Sequence, residues 1–161
     1  MSVAFTESLL SAKIKSLLTT GIPEAGEVAT IPAVTFPVMT FWEILEEGEV
    51  KEDVRSKISI GINPRGYNDQ IGWSASFTGW ISIEYDGPDT RILAAEYERM
   101  INLIEQCQHA AAGSSVALLN VTGFDVDDFQ ILTGGDCGFD TDQDIFYALI
   151  NFTLDGTLTT R

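Results

Sequence analysis

The sequence is poor in the residues that usually carry catalysis or hold metals. It contains two cysteines, Cys107 and Cys137, and a single histidine, His109. Two separated thiols suit a reducing compartment and do not make a zinc site, which typically takes four ligands. The Gly-x-Ser-x-Gly motif of a nucleophilic serine is absent. Acid–base chemistry by His109 would also need a second residue that orients its imidazole, and no pattern in the sequence indicates one. We therefore predict that the protein is not an enzyme and uses no cofactor.

Basic residues are scarce too. Nine Lys and Arg stand against 24 Asp and Glu, which gives a formal net charge of −15. Between Arg99 and Arg161 there is no Lys or Arg, while the same interval holds eight aspartates. Such a chain lacks the basic patch that binds phosphates, which argues against sequence-specific binding of nucleic acid. Two interpretations of the charge stay open: a solvated face that keeps the protein soluble, or a surface that repels something anionic.

Long hydrophobic runs are the third absence. The longest apolar stretches fall well short of the ~20 residues that a membrane helix needs. The first residues also lack the basic start and apolar core of a signal peptide. We expect synthesis in a cytoplasm and no membrane partner. The apolar fraction of 45% predicts a folded chain, and its length predicts one domain over residues 1–161.

The clearest pattern that is present runs from Trp73 to Gln108. Apolar and polar residues alternate as far as Tyr85, which predicts one long strand with an apolar face and a hydroxyl-rich face. Trp80 is the one large aromatic on the hydroxyl-rich side. After a turn, an apolar stripe at spacings of three and four predicts a helix over Thr90–Ala112. The helix stripe is expected to cover the apolar strand face.

The remaining patterns complete an α+β fold. A helix is predicted over Thr6–Thr20, and a strand from Lys57 forms a hairpin with the long strand. An acidic turn is expected at 123–128, and further strands at Ser115–Val121, Phe129–Leu132 and Ile145–Leu154. The last of these is apolar on both faces at its start, so it should lie centrally. We predict a single antiparallel or mixed β-sheet with a long central hairpin and two helices packed on one face.

Two segments fit this plan less well. Residues 22–56 include possible short strands at 27–31 and 34–44, but Pro32 and Pro37 remove ladder donors. This stretch is either an edge strand on its own core or an extended arm that contacts another subunit. Its aromatic residues, with a tryptophan and an arginine from the hairpin, are the candidate interface: Phe36, Phe41, Trp42, Trp80 and Arg65. The second segment, 133–144, is rich in Gly and Asp and is predicted to be a loop.

The aspartates of that loop also allow a calcium hypothesis. Asp140, Asp142 and Asp144 stand at the first, third and fifth positions of a possible ion-binding loop. The pattern fails further on, because Ile145 stands where glycine is needed and Asn151 where glutamate is needed. A module that binds calcium through its acidic loops is kept as an alternative.

The order of elements is similar to that of the tail-terminator and tail-completion proteins of long-tailed bacteriophages. The resemblance covers most of the chain, but residues 22–56 and 133–144 have no clear counterpart. It includes a helix with the sequence RILAAEYERMINLI at Arg91–Ile104. The other matching elements are the helix Thr6–Thr20, the hairpin Lys57–Tyr85 and the closing strands around Val116–Val121 and Ile145–Leu154.

The resemblance implies a structural protein of the virion tail or neck, made in the cytoplasm of the host. Such a protein forms a homohexameric ring that caps the tail tube, ends tube polymerisation and joins the tail to the head-side connector. DNA would pass through the lumen without binding to an acidic wall. The candidate acidic residues of that wall or of an axial contact are Asp125, Asp127, Asp128, Asp136, Asp140 and Asp142. A tail-tube or other neck protein, which would form open polymers, is a further alternative.

Overall fold

The structure, a computed structural model, describes residues 6–23, 30–31, 33–41, 55–63, 74–108 and 119–158. Two helices are central to the fold, α1 (Thr6–Thr20) and α2 (Thr90–Gln108). The strands, in chain order, are β1 (Ile22–Pro23), β2 (Thr30–Ile31), β3 (Val38–Thr40), β4 (Lys57–Ile62), β5 (Ser74–Tyr85), β6 (Phe124–Ile131), β7 (Asp136–Asp140) and β8 (Ile145–Leu158).

Six of these strands form one mixed sheet. The order across it is β3-β4-β5-β8-β6, and β7 also pairs with β8. Only β3 and β4 run parallel, while the other neighbours are antiparallel. Strands β1 and β2 form a separate two-stranded pair. The predicted α+β class, the hairpin of β4 with β5 and the central position of β8 are therefore confirmed.

Strands β5 and β8 are the spine of the sheet. They pair without interruption from Ser74 opposite Thr157 to Tyr85 opposite Phe146. Because successive side chains point to opposite faces, one face carries the main core, and the other is polar in the described residues of these two strands except for Trp80, Ile145 and Leu149. On the core face Phe77 is only 2% exposed, whereas Ser74, Ser76 and Thr78 are exposed on the opposite face. The face away from the helices is called the open face below.

Both helices pack on the core face. In α1, Leu10, Ile14 and Leu18 are buried, and the helix lies over β3 and β4. In α2, the core residues are Met100, Leu103 and Ile104. The observed bounds of α1 equal the predicted ones. The predicted end of α2 at Ala112 lies outside the described residues, as do the side chain of Cys107 and all of His109.

Strands β6 and β7 share one edge of β8. Strand β6 pairs with residues 152–158 of β8, and β7 pairs with residues 145–149. Residues 132–135 form the link between β6 and β7. The amide of Leu132 in this link donates to the carbonyl of Asn151 at 2.8 Å, so the edge of the sheet continues through the link. The turn predicted at 123–128 and the loop predicted at 133–144 were wrong where the structure has strands, at 124–128 in β6 and at 136–140 in β7. Alternating carboxylates were interpreted as loop chemistry, although they lie on the exposed face of edge strands.

The segment before β3 is held to α2 by a buried carboxylate. Glu96 is only 1% exposed, and its oxygens accept hydrogen bonds from the amides of Thr35 and Phe36 at 3.0–3.1 Å. Thr35 Oγ1 and Arg99 Nη1 also donate to Oε1, at 2.6 and 2.7 Å. With its backbone fixed in this way, the Phe36 ring stacks on Tyr85 with centroids 6.1 Å apart.

Two other sequence expectations need correction. Only 119–121 of the strand predicted at Ser115–Val121 is described, and there Val121 makes just an isolated bridge with Phe124. Of the strand predicted at 27–31 only residues 30 and 31 are described, and both belong to β2, whereas the strand predicted at 34–44 is limited to β3 among its described residues 34–41. Each of these segments is rich in apolar residues, but a strand also needs a neighbour with free backbone groups to pair with.

Candidate functional site

A groove separates α2 from the outer part of the sheet. It has a volume of about 870 Å³. One wall is a single face of α2, since Leu93, Tyr97 and Ile101 recur at helical spacing. The floor and the other wall are the backbone and side chains of the link and the β7–β8 hairpin, from Ile131 to Ile150. Helix α2 therefore leaves this corner of the core face uncovered.

The groove is bordered by apolar side chains that remain in contact with solvent. Phe139 on β7 is 43% exposed and Leu132 in the link is 41% exposed. The Phe139 ring packs on Phe146, with ring centroids 4.8 Å apart. Exposed apolar side chains that cluster around a concave surface mark binding sites more often than scattered ones do. The groove is therefore a candidate binding site.

Strand β7 gives the groove a second property, an open backbone edge. Within the described residues β7 pairs with β8 alone. Its side chains alternate, because Cys137 and Phe139 share the core face with Ala148 and Phe146. Asp136 and Asp140 consequently lie on the open face. The edge thus presents apolar groups on one side and carboxylates on the other.

Each of these two carboxylates accepts its hydrogen bonds from uncharged donors. Asp136 Oδ2 accepts a hydrogen bond from Tyr147 Oη at 3.1 Å, which raises the pKa of the Tyr147 hydroxyl. Asp140 Oδ1 accepts from the amides of Asp142 and Gln143 at 2.9 and 3.2 Å and so closes the β7–β8 turn. In the described part of the chain, neither carboxylate has a Lys or Arg partner within salt-bridge distance.

The other predicted acidic residues extend the same edge. Asp125, Asp127 and Asp128 belong to β6, where Asp127 Oδ2 accepts a hydrogen bond from Thr157 Oγ1 at 2.8 Å. Asp142 lies exposed in the β7–β8 turn. The six aspartates singled out in the sequence therefore lie along one edge of the sheet and its final turn. This edge, Asp125–Asp142, is called the acidic edge below.

The structure describes three of the five predicted interface residues. Phe36 is half-buried against the core, and Phe41, just after β3, is 40% exposed. Trp80 lies on the open face, half-buried over Gly61. Trp42 and Arg65 lie outside the described residues. A subunit contact through these residues stays a prediction.

The described acidic side chains and helices also bear on metal binding and on membrane binding. Among the described residues there is no group of three or more His, Cys, Asp or Glu side chains placed to share a metal ion. Asp140 and Asp144, two residues of the calcium hypothesis, instead flank a tight turn in which Asp144 adopts a positive φ of 58°. Of the helices described, none is both long enough and apolar enough to span a bilayer.

Comparison with models of known protein families gives no match, and comparison with curated proteins gives no significant one. Function must accordingly be argued from the residues and their geometry. The likeness to phage tail terminators remains a resemblance in the order of elements.

The sequence contained a signal for the groove that was missed. The stretch Asp136-Cys-Gly-Phe-Asp140 has apolar Cys137 and Phe139 at alternate positions, as an exposed strand does, but Gly138 and the two glycines before the stretch suggest a loop. Gly135 is needed for close packing, since a Cβ there would lie 2.4 Å from the carbonyl oxygen of Leu149. Gly134, with a positive φ of 88°, and Gly135 lie in the short link between β6 and β7, whereas Gly138 lies within β7.

Proposed function

We propose that this chain is a structural subunit of a phage tail or neck, and that it forms a homohexameric ring that caps the tail tube. Its partners would be the tail-tube protein and the head-side connector. The ring would end tube polymerisation and join the two assemblies without catalysis. The order of the elements, which resembles tail terminators, is the starting point of this proposal.

The observation that carries the proposal is the two-sided character of the sheet. One face is covered by α1 and α2, while the open face presents hydroxyls and carboxylates from β5, β6 and β8 together with the apolar Trp80, Ile145 and Leu149. Lys57 is the one basic residue on the described strands of this face, and its Nζ lies 3.8 Å from Glu84 Oε2. A polar wall of this kind offers no unpaired cation to phosphates, so it would let DNA slide past.

A ring also needs an interface between unlike surfaces of neighbouring subunits. The sheet has two different edges, the short strand β3 on one side and β6 with its aspartates on the other, and a contact between these edges leaves the edge of β7 free. Unlike edges favour head-to-tail contact over two-fold contact. A closed ring results if the rotation between neighbours closes, and an open tube results if it does not.

The test is native mass spectrometry with negative-stain imaging, at low and high protein concentration, with and without tail-tube protein. Closed rings of six copies, formed alone or on a tube end, are the expected result. Open filaments would identify a tube protein instead. A strictly monomeric chain that never associates with a tube, and whose melting temperature rises with calcium, would overturn the proposal.

A further inference from the structure

The wall of the groove formed by β7 is accessible from both its backbone and its side chains. In the described part of the chain no strand covers its outer edge, and Cys137 and Phe139 are exposed toward the groove. An uncovered strand edge is a template on which another strand can pair. A segment bound here would gain main-chain hydrogen bonds to β7 and apolar contacts with the groove.

The alternation of β7 defines the chemistry of such a segment. Residues directly opposite each other on paired strands share a face, with Cβ atoms about 5 Å apart. On the groove side an added strand would meet Cys137 and Phe139, and on the open face it would meet Asp136 and Asp140. The complementary strand therefore has apolar residues at alternate positions and Lys or Arg between them.

A second copy of β7 is a poor occupant. Two-fold antiparallel pairing centred on Gly138 would set Asp136 of one copy opposite Asp140 of the other, at both ends of the pair. Like charges directly opposite each other destabilise a strand pair. The described residues 119–158 contain no Lys or Arg, and Arg55, which donates to the carbonyl of Gln143 in the β7–β8 turn, forms its salt bridge with Asp86. Charge complementarity thus favours a basic partner over self-association at this edge.

We infer that the groove between α2 and β7 is a docking site for an extended, basic segment of a partner protein, which adds to β7 as an extra strand. Apolar side chains of the segment enter the groove beside Phe139 and Leu132, and its basic side chains face Asp136 and Asp140. This inference concerns one subunit and does not depend on the ring.

The probe is a fluorescein-labelled peptide of alternating lysine and valine, seven residues long with lysine at both ends. Two controls are a peptide of the same composition with its valines in one block, and an alternating peptide with glutamate in place of lysine. Fluorescence anisotropy should show saturable binding of the alternating basic peptide only. Hydrogen exchange of the amides in residues 136–140 should slow when it binds, because strand addition protects the outer edge.

Three variants locate the contact. Asp136→Asn with Asp140→Asn keeps the acceptor oxygens but removes both charges, and should weaken binding by about tenfold. Phe139→Ala should weaken it by a similar factor through loss of apolar contact. The matched control, Asp125→Asn with Asp127→Asn, removes the same charge from β6, which pairs with the far end of β8 and lies outside the proposed contact. It should change affinity by less than about twofold.

Several outcomes would overturn the inference. Equal binding of the block and alternating peptides, or unchanged exchange at 136–140, would show that the acidic surface attracts cations without strand addition. An oligomer that dissociates in Phe139→Ala, and that the peptide competes with, would identify a second copy as the occupant. Ring formation is scored separately by native mass, so failure of either proposal leaves the other standing.

Discussion

Glu96 shows how one side chain can hold together two parts of the chain that are far apart in sequence. Burial alone would raise the pKa of this carboxyl group. The hydrogen bonds from Thr35 Oγ1, from the amides of Phe36 and Thr35, and from Arg99 outweigh that effect, so the pKa lies below its ordinary value. Charged acceptors that satisfy several donors in this way stabilise the folded state.

We predict that Glu96→Gln lowers the free energy of unfolding at pH 7 by about 1–3 kcal/mol, because a neutral amide replaces a charged acceptor of several hydrogen bonds. The matched control is Glu98→Gln, which makes the same change on the exposed side of α2. Denaturant unfolding monitored by circular dichroism measures both variants. An equal loss in the two would show that Glu96 does not anchor the segment before β3.

The Glu96→Gln variant also gives a prediction on the pH dependence of stability. The ordinary pKa of 4.5 applies to the unfolded chain, and the folded-state pKa is lower. The unfolded state therefore binds more protons between the two values, and the stabilisation by Glu96 is complete above about pH 4.5. It is lost as the pH falls through the folded-state pKa. The stability difference between wild type and Glu96→Gln should accordingly shrink as the pH falls below about 4.5, which denaturant unfolding over a pH series measures.

Gly79 is required by packing on the core face of β5. A Cβ at this position would lie 2.4 Å from Phe152 Cζ and 2.6 Å from the carbonyl oxygen of Gly61. We predict that Gly79→Ala destabilises the protein by about 1–3 kcal/mol through overpacking. Ser74→Ala, on the exposed face of the same strand, is the control and should cost less than about 0.5 kcal/mol. Thermal unfolding tests both, and equal melting temperatures would contradict the close fit around Phe152.

At the scale of elements, β6 shows why the order of apolar residues matters. Its apolar residues are Phe124, Val126, Phe129 and Ile131, and the spacing of three in the middle breaks the alternation. The structure accommodates it with a β-bulge between Val126 and Asp128, so that all four apolar side chains reach the core. The extra residue is Asp127, which lies exposed.

Deletion of Asp127 should be tolerated, because it leaves a sequence that alternates without a break. We expect a cooperative unfolding transition and a loss of stability of about 1 kcal/mol or less, mainly from the lost hydrogen bond to Thr157. Deletion of Gln130 instead would turn Ile131 toward the open face or force β6 out of register. It should cost clearly more. Similar melting temperatures for the two deletions would show that the bulge does not set the register of β6.

Sequence patterns predicted the elements that have one strong period. The stripe Leu10, Ile14 and Leu17 or Leu18 predicted α1 with its observed bounds, and the alternation up to Tyr85 predicted β5. Where two signals conflicted, prediction failed: the acidic residues of β6 and the glycines of β7 are turn formers, but pairing with β8 determined their structure. The hydrogen bonds from Thr35 and Phe36 to Glu96 were also missed, because they join residues that are 60 and 61 positions apart.

Of the candidate site, the sequence predicted the negative charge but not the groove. The aspartates were found because basic residues are absent around them, which is a property of composition. The groove depends on how far α2 stops short of covering β7 and β8, and no local pattern reports that. Exposed Leu132 and Phe139 would read as ordinary core residues in a sequence.

On the scale of the whole molecule, the distribution of charge and the two-sided sheet lead to a test of the proposed lumen. If the open face lines a ring, cations added there from all subunits converge on the axis, whereas cations on the outer side of α2 diverge. Ser74→Lys, Thr78→Lys and Gln130→Lys replace exposed residues of the open face. Ile92→Lys, Ala95→Lys and Asn102→Lys add the same charge on exposed positions of α2.

We predict that assembled rings of the open-face variant retain short duplex DNA at low salt, while rings of the α2 variant and of the wild type do not. Convergent lysines replace several counterions of one duplex at once, and affinity rises steeply with the number of phosphates neutralised. Native gel retardation over a series of salt concentrations measures this, and the open-face variant should show the steeper salt dependence. Native mass confirms that each variant still forms rings. Equal retention by the two variants would place the open face away from the axis, because cations on a lumen wall and on an outer wall cannot contact the same duplex equally.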